Sequence, residues 1–179
     1  MTVPLTAQLE LVGRWATELG NKVSQTEATN PAGQSVPALQ VQHGVVTLLV
    51  VDQSGTVAVL SIIQFPPEAR KITRQLSNDV QERLLNIMRN AMMDNPRTGW
   101  TITPPTATRA GDVEVIQLVQ LLRIDEQGTQ SFNRLADALQ ELATMTIKVG
   151  SFYGGALRPG ATPQLPALRP RDGDDRIYR

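Results

Sequence analysis

The run Val45-Val46-Thr47-Leu48-Leu49-Val50-Val51-Asp52-Gln53-Ser54-Gly55-Thr56-Val57-Ala58-Val59-Leu60-Ser61-Ile62-Ile63-Gln64-Phe65 decides the fold class. Its two halves are dense in β-branched residues, which suit a pleated surface and lose rotamer freedom in a helix. Between them stands Asp52-Gln53-Ser54-Gly55, small and polar with a glycine able to take a positive φ, which is turn chemistry. A connection that short makes strands at 45–52 and 56–65 antiparallel neighbours. Residues 38–43 read as another strand ahead of them.

Toward the N-terminus, Leu5, Leu9, Val12, Ala16 and Leu19 recur at the helical period with Trp15 beside them, predicting a helix over 6–19 that stops at Gly20-Asn21. Ser24 to Pro37 is polar, contains Asn30-Pro31-Ala32-Gly33, and is expected to be a mobile loop. Beyond the strands, Pro66-Pro67 can open a helical segment, and 68–76 either joins the next helix or forms a separate turn. That next helix, 77–93, carries Val80, Leu84, Ile87, Met88 and Ala91 as one stripe, capped by Ser77 or Asn78 and closed by Asn95-Pro96.

The remainder reads as a strand at 99–103, a loop at 104–112, a long strand at 113–124 and a turn at Asp125-Glu126-Gln127-Gly128. A helix follows, opened by Thr129 and carrying Phe132, Leu135, Ala136, Leu139, Leu142 and Ala143. Residues 146–153 either add a strand or extend that helix. The sum is an α+β domain over 1–155, with a mainly antiparallel sheet of five to six strands, helices packed on it, and the order α-β-β-β-α-β-β-α. Residues 156–179 hold Pro159, Pro163, Pro166 and Pro170 among five arginines, and are expected to form a flexible tail that stays extended and solvated unless bound.

A chain of 179 residues with 41% apolar content is long enough to build one core without staples, and the absence of cysteine removes disulfide, thiol and Cys-zinc chemistry. Seventeen basic and seventeen acidic side chains cancel, so there is no general electrostatic pull toward nucleic acid or an anionic membrane. No run approaches a membrane span, the longest being Val45–Val51 broken by Thr47, and the N-terminus lacks a secretory pattern. A cytoplasmic location is therefore expected.

The element order, with Ile63-Gln64-Phe65-Pro66-Pro67-Glu68 leading to Leu76-Ser77-Asn78-Asp79-Val80-Gln81-Glu82-Arg83-Leu84-Leu85, resembles the type III secretion chaperone-like superfamily. Together with Ile124-Asp125-Glu126-Gln127-Gly128-Thr129-Gln130-Ser131-Phe132, it is similar to an uncharacterised, largely archaeal family of that fold, and to the YbjN-like proteins. The resemblance covers about residues 5–150. It implies a compact α+β body, often a homodimer, that holds a partner polypeptide and catalyses no reaction. The secretion chaperones are strongly acidic, whereas these charges balance, so the resemblance does not extend to their effector partners.

Few residues offer chemistry. His43 is the one histidine and has no carboxylate near it in sequence, which points to a structural role. No Gly-x-Ser-x-Gly elbow is present, and Gly150-Ser151-Phe152-Tyr153-Gly154-Gly155 lacks the Lys-Ser/Thr of a phosphate cradle and reads as a flexible exit. Asp112 and Glu114, two apart on a strand, share a face and could begin a magnesium site for phosphoester chemistry; a solvated sheet edge or strand start is the preferred reading, because such a site would also need substrate phosphates or further ligands. Arg70 and Arg74 share a helical face that could meet an anionic partner, although Glu68, Asp79 and Glu82 dilute the field. With three lysines and no interleaved aromatics, nucleic acid is not expected.

Apolar groups spread around more than one stripe of helix 77–93, with Leu84-Leu85 beside Ile87-Met88. Core packing is the commoner fate of such a stripe, but its width argues for burial of part of the helix by a second subunit, with methionine suited to irregular contacts. The expectation is a non-enzymatic chaperone-like or adaptor protein without cofactor or metal. It binds a polypeptide through the sheet edge or the central helix, with Leu85, Met88, Met92, Arg70 and Arg74 as partner-binding residues, and it self-associates. The alternative is an accessory subunit of a larger complex, tethered by residues 156–179.

Overall fold

A computed structural model describes residues 4–30, 32–53, 55–124 and 129–156. The turn expected at Asp125–Gly128 and the tail expected beyond Ala156 lie outside the described residues. Helix α1 (Ala7–Glu18) is capped by the Thr6 hydroxyl, which accepts from the Leu9 amide, and it buries Leu9, Val12 and Ala16. Six strands follow the order expected of a meander with one excursion: β1 (Lys22–Thr29), β2 (Ser35–His43), β3 (Val46–Asp52), β4 (Val57–Gln64), β5 (Gly99–Thr103) and β6 (Val115–Leu122). They form one antiparallel sheet, β1-β2-β3-β4-β6-β5.

Between β4 and β5 lie α2 (Pro67–Thr73) and α3 (Asn78–Met93), and the last element of the described residues is α4 (Thr129–Ala156). The fold class is as the sequence predicts, with the full order α-β-β-β-β-α-α-β-β-α. Residues 68–76 are thus a separate short helix and its exit. Residues 146–153 extend α4, and Gly150–Gly155 is its last turns rather than a flexible exit.

The expected loop at 24–37 is instead a hairpin. Its strand β1 is polar because it is the sheet's edge, and Pro37 is tolerated in β2 because the ladder to β3 begins one residue later, at Ala38↔Val51. Asn30 makes the turn: its Oδ1 accepts from the amides of Ala32 (3.0 Å) and Gln34 (2.9 Å), and Gly33 takes φ +77°.

Helices α1 and α4 cover one sheet face, and α3 packs on the outside of α4. The core joins Leu9 and Val12 of α1, Leu39, Val50, Val59, Ile116 and Leu118 of the sheet, and Leu135, Leu139 and Leu142 of α4. Each such side chain contributes roughly 2 kcal/mol by leaving water. Trp15 and Phe132 lock α1 to α4 edge to face, ring centres 6.1 Å apart. The other face carries its own small cluster, Ala38, Val51, Ala58 and Leu60, against Ala28, Val36, Leu49 and Val119; every member belongs to a strand. No described helix is long and apolar enough to cross a membrane.

Candidate functional site

The residues expected to meet a partner serve the chain itself. Leu85, Met88 and Met92 have no exposed surface, and Leu84, Ile87 and Ala91 are buried with them. The reason is the segment after β5. Read as a plain loop, it folds back over α3, placing Ala107, Ala110 and Val113 in the same core and the Ala107 carbonyl 3.0 Å from Arg89 Nη2. One side of α3 is sealed by α4 and another by this segment, so its wide apolar sector does not expose a surface for a second subunit. Leu85, Met88 and Met92, expected at a partner surface, are thus placed in the chain's own core.

The cations and carboxylates likewise find each other. Arg70 Nη1 donates to Glu114 Oε1 at 2.7 Å, and Arg74 Nε lies 3.6 Å from Asp112 Oδ1. Asp112 ends a short 3-10 turn, Ala110–Asp112, and Glu114 precedes β6, so they are not alternate residues of one strand. These two pairs dock α2 onto the 3-10 turn, placing Arg70 and Arg74 against Glu114 and Asp112, so that each carboxylate faces an arginine rather than the other carboxylate. The approach is close: a Cβ on Gly111 would stand 2.6 Å from Arg74 Cγ and 2.8 Å from Gln81 Oε1. Buried Gln81 in turn donates to the Leu76 carbonyl at 2.9 Å, ending the α2–α3 connection.

His43 bridges elements. Its Nδ1 is 2.8 Å from Asn21 Oδ1 and its Nε2 is 3.1 Å from Gln140 Oε1, so both ring nitrogens face amide oxygens. Asn21 also donates to the Ala16 carbonyl at 2.9 Å, tying the end of α1 to the β2–β3 turn and α4. Among the described residues, no group of three or more His, Asp or Glu could hold a metal.

A second polar cluster, not singled out in the sequence, centres on Glu141. Asn95 Nδ2 and Gln120 Nε2 each donate to its Oε2 at 2.8 Å, and Gln120 also reaches Thr98 Oγ1 at 2.9 Å. The Asn95 bond, the Gln120 bond and the nearby Arg97 charge hold the Glu141 carboxyl below its ordinary 4.5 against the opposing effect of burial. It ties α4 to β6 and to the end of α3, which is a structural task.

The open feature is a groove between α1 and the edge strand β1, with a volume of about 710 Å³. Its floor is apolar: Leu9, Gly13, Val23 and Leu39. Gly13 lets the helix ride close, since a Cβ there would come 3.3 Å from Leu39 Cδ1. The rim carries Glu10, Arg14 and Glu18 from the outward side of α1. Alongside runs the outer edge of β1, whose eight residues pair, among the described residues, with β2 only. An edge strand presents alternate unpaired amides and carbonyls, which is a template for another strand. A sheet edge is among the binding surfaces the sequence leads one to expect, but its location is hidden there because the polar edge strand itself reads as a loop.

No family model matches this sequence, and no curated protein matches it significantly. Among solved structures, an uncharacterized protein from Methanothermobacter thermautotrophicus superposes with a TM-score of 0.65 at 11% identity, over 83% of this chain and 98% of that one. The YbjN protein of E. coli aligns over 80% of this chain and 91% of its own, with a TM-score of 0.46 and 12% identity. The archaeal likeness, spanning almost all of that protein, is one of fold, and it places this chain among proteins built as a helix-backed antiparallel sheet of the type the sequence resemblance implies.

Proposed function

We propose that this chain is a non-enzymatic, chaperone-like adaptor that takes an extended stretch of a partner polypeptide into the groove between α1 and β1. The observation that carries the reading is an unpaired strand edge beside an apolar-floored channel. The edge supplies main-chain hydrogen bonds, and the channel supplies burial for alternate side chains, which is the division of labour in strand addition. Helix α1, with 12 residues, is about 18 Å long, enough to cover roughly five residues of extended chain. The rim mixes Glu10 and Glu18 with Arg14, which favours no strongly charged polymer and suits an ordinary polypeptide with apolar residues at every second position.

Selection from a displayed library of short random peptides tests this. The expected winners alternate apolar and polar residues and lose binding when Gly13→Leu fills the channel. Winners without that alternation, or indifferent to Gly13→Leu in a chain of unchanged helicity, contradict the proposal.

A further inference from the structure

We infer that the helix-free face of the sheet is a two-fold interface between two copies of this chain. The apolar cluster on that face contains strand residues alone. Strand alternation also brings onto it Ile62, which is 48% exposed, and Leu121, 62% exposed. The residues of β2, β3, β4, β6 and β5 that alternate onto this face include no Asp, Glu, Lys or Arg, and the nearest charges by register stand at its margins: Lys22 on β1, Arg123 two residues beyond Leu121, and Arg97 two residues before Gly99. An antiparallel sheet with one face in water normally carries polar and charged residues there, both for solubility and to block association. Five strands without a charge depart from that rule.

Three features select a second copy as the occupant. First, an uncharged face offers nothing to a charged partner, whereas set against itself it opposes no like charges. Second, its rows alternate in size. The register runs Ala38–Val51–Ala58–Leu121 across four strands, and the next row runs Leu49–Leu60–Val119–Gly99. Projecting Leu121 at one end of the first row and the small Ala38 at the other are the complements that a two-fold axis would exchange. Third, the size fits. Five intervals of about 4.8 Å between six strands of five to nine residues, at about 3.4 Å per residue, give a footprint of roughly 600 Å², within reach of the ~800 Å² per partner of a standard stable interface; Ala38, Val51, Ala58 and Leu60 at its centre are already buried, so the apolar surface left to cover is chiefly Ile62 and Leu121. Two such faces would pack about 10 Å apart as a sandwich. This surface is distinct from the α1–β1 groove, so either proposal can fail alone.

Light scattering and sedimentation of the full chain over a dilution series decide the matter. The expected species has twice the 19.6 kDa chain mass. Ile62→Glu and Leu121→Glu, both at exposed positions, should each raise the dimer dissociation constant by more than about tenfold with unchanged circular dichroism, because the added carboxylate would be buried without a partner. Met93→Glu, at a site 66% exposed on α3, should leave the mass unaltered. A single-chain mass at every concentration, a dimer that survives both sheet substitutions, or one lost equally in Met93→Glu overturns the inference. So does a dimer that forms only after residues 157–179 are removed, which would give the face to that segment.

Discussion

Arg70 Nη1 donates to Glu114 Oε1 at 2.7 Å, joining a helix that follows β4 to the residue that leads into β6. The arginine side chain is 18% exposed and the carboxylate 51%, so the pair sits at the boundary between core and water. A double-mutant cycle with Arg70→Met and Glu114→Gln should give a coupling of about 1 kcal/mol in urea unfolding, toward the upper end of what surface pairs contribute. A coupling near zero would show that α2 is docked by packing alone. Calorimetric titration with magnesium should give no heat in the native chain, since both carboxylates face arginines rather than each other.

Two glycines should respond in opposite directions to alanine. Gly111→Ala places a methyl within 2.8 Å of Arg74 Cγ and Gln81 Oε1 and should destabilise by about 1–3 kcal/mol. Gly150 lies inside α4, and its added Cβ would meet nothing within 4 Å, so Gly150→Ala should stabilise by up to about 1 kcal/mol through helix propensity. Thermal or denaturant unfolding reads both, and the same sign for the two variants would refute the packing described at Gly111.

Tyr153 is 3% exposed and packs its ring on Phe65, centres 4.2 Å apart, yet its hydroxyl is buried without a hydrogen-bond partner. Thr73 lies near it, its hydroxyl donating to the Ala69 carbonyl at 3.0 Å and its oxygen making no bond to the phenol. Tyr153→Phe should therefore be neutral or stabilising by up to about 1 kcal/mol, because it removes an unsatisfied group and keeps the ring. Burial pushes the phenol above its ordinary 10.0, so stability is lost as pH rises past that value while the unfolded chain ionises first. The phenylalanine variant should lack that part of the alkaline loss.

At the acid end, Glu141 is the group to follow. Its native pKa is depressed, chiefly by the Asn95 hydrogen bond, so its contribution is present above the ordinary 4.5 and disappears as pH falls through the lowered value. Glu141→Gln should cost about 1 kcal/mol near neutrality. The gap to the native chain should close as the pH falls below the ordinary 4.5 and through the lowered value. A gap constant with pH would mean that the carboxylate charge contributes nothing.

Much of the architecture was legible because burial imposes periodicity. The Val45–Phe65 run, the α3 stripe and the α4 face each read as the element they form, since every second or every third-to-fourth residue enters the core. What escaped was structure whose residues do not enter it. Strand β1 is polar because an edge strand is wetted, and Pro37 disguised β2 by sitting just beyond the β3 ladder. The 3-10 segment over α3 has no period long enough to announce itself, although Ala107, Ala110 and Val113 recur at intervals of three. That omission made α3 look as if it needed a second subunit. The candidate site was obscured for the same reason as β1, which forms one of its walls, whereas the roles of Arg70, Arg74, Asp112 and Glu114 depended on contacts between distant segments.

Hydrogen exchange at the amides of β1 tests the central claim most directly. With a peptide recovered by selection bound to the full chain, the residue 22–29 amides that point away from β2 should slow markedly, while the exchange of β5, the opposite edge of the sheet, stays as it was. Protection confined to β5 or to α3, with β1 exchanging as fast as in the free chain, would contradict the account.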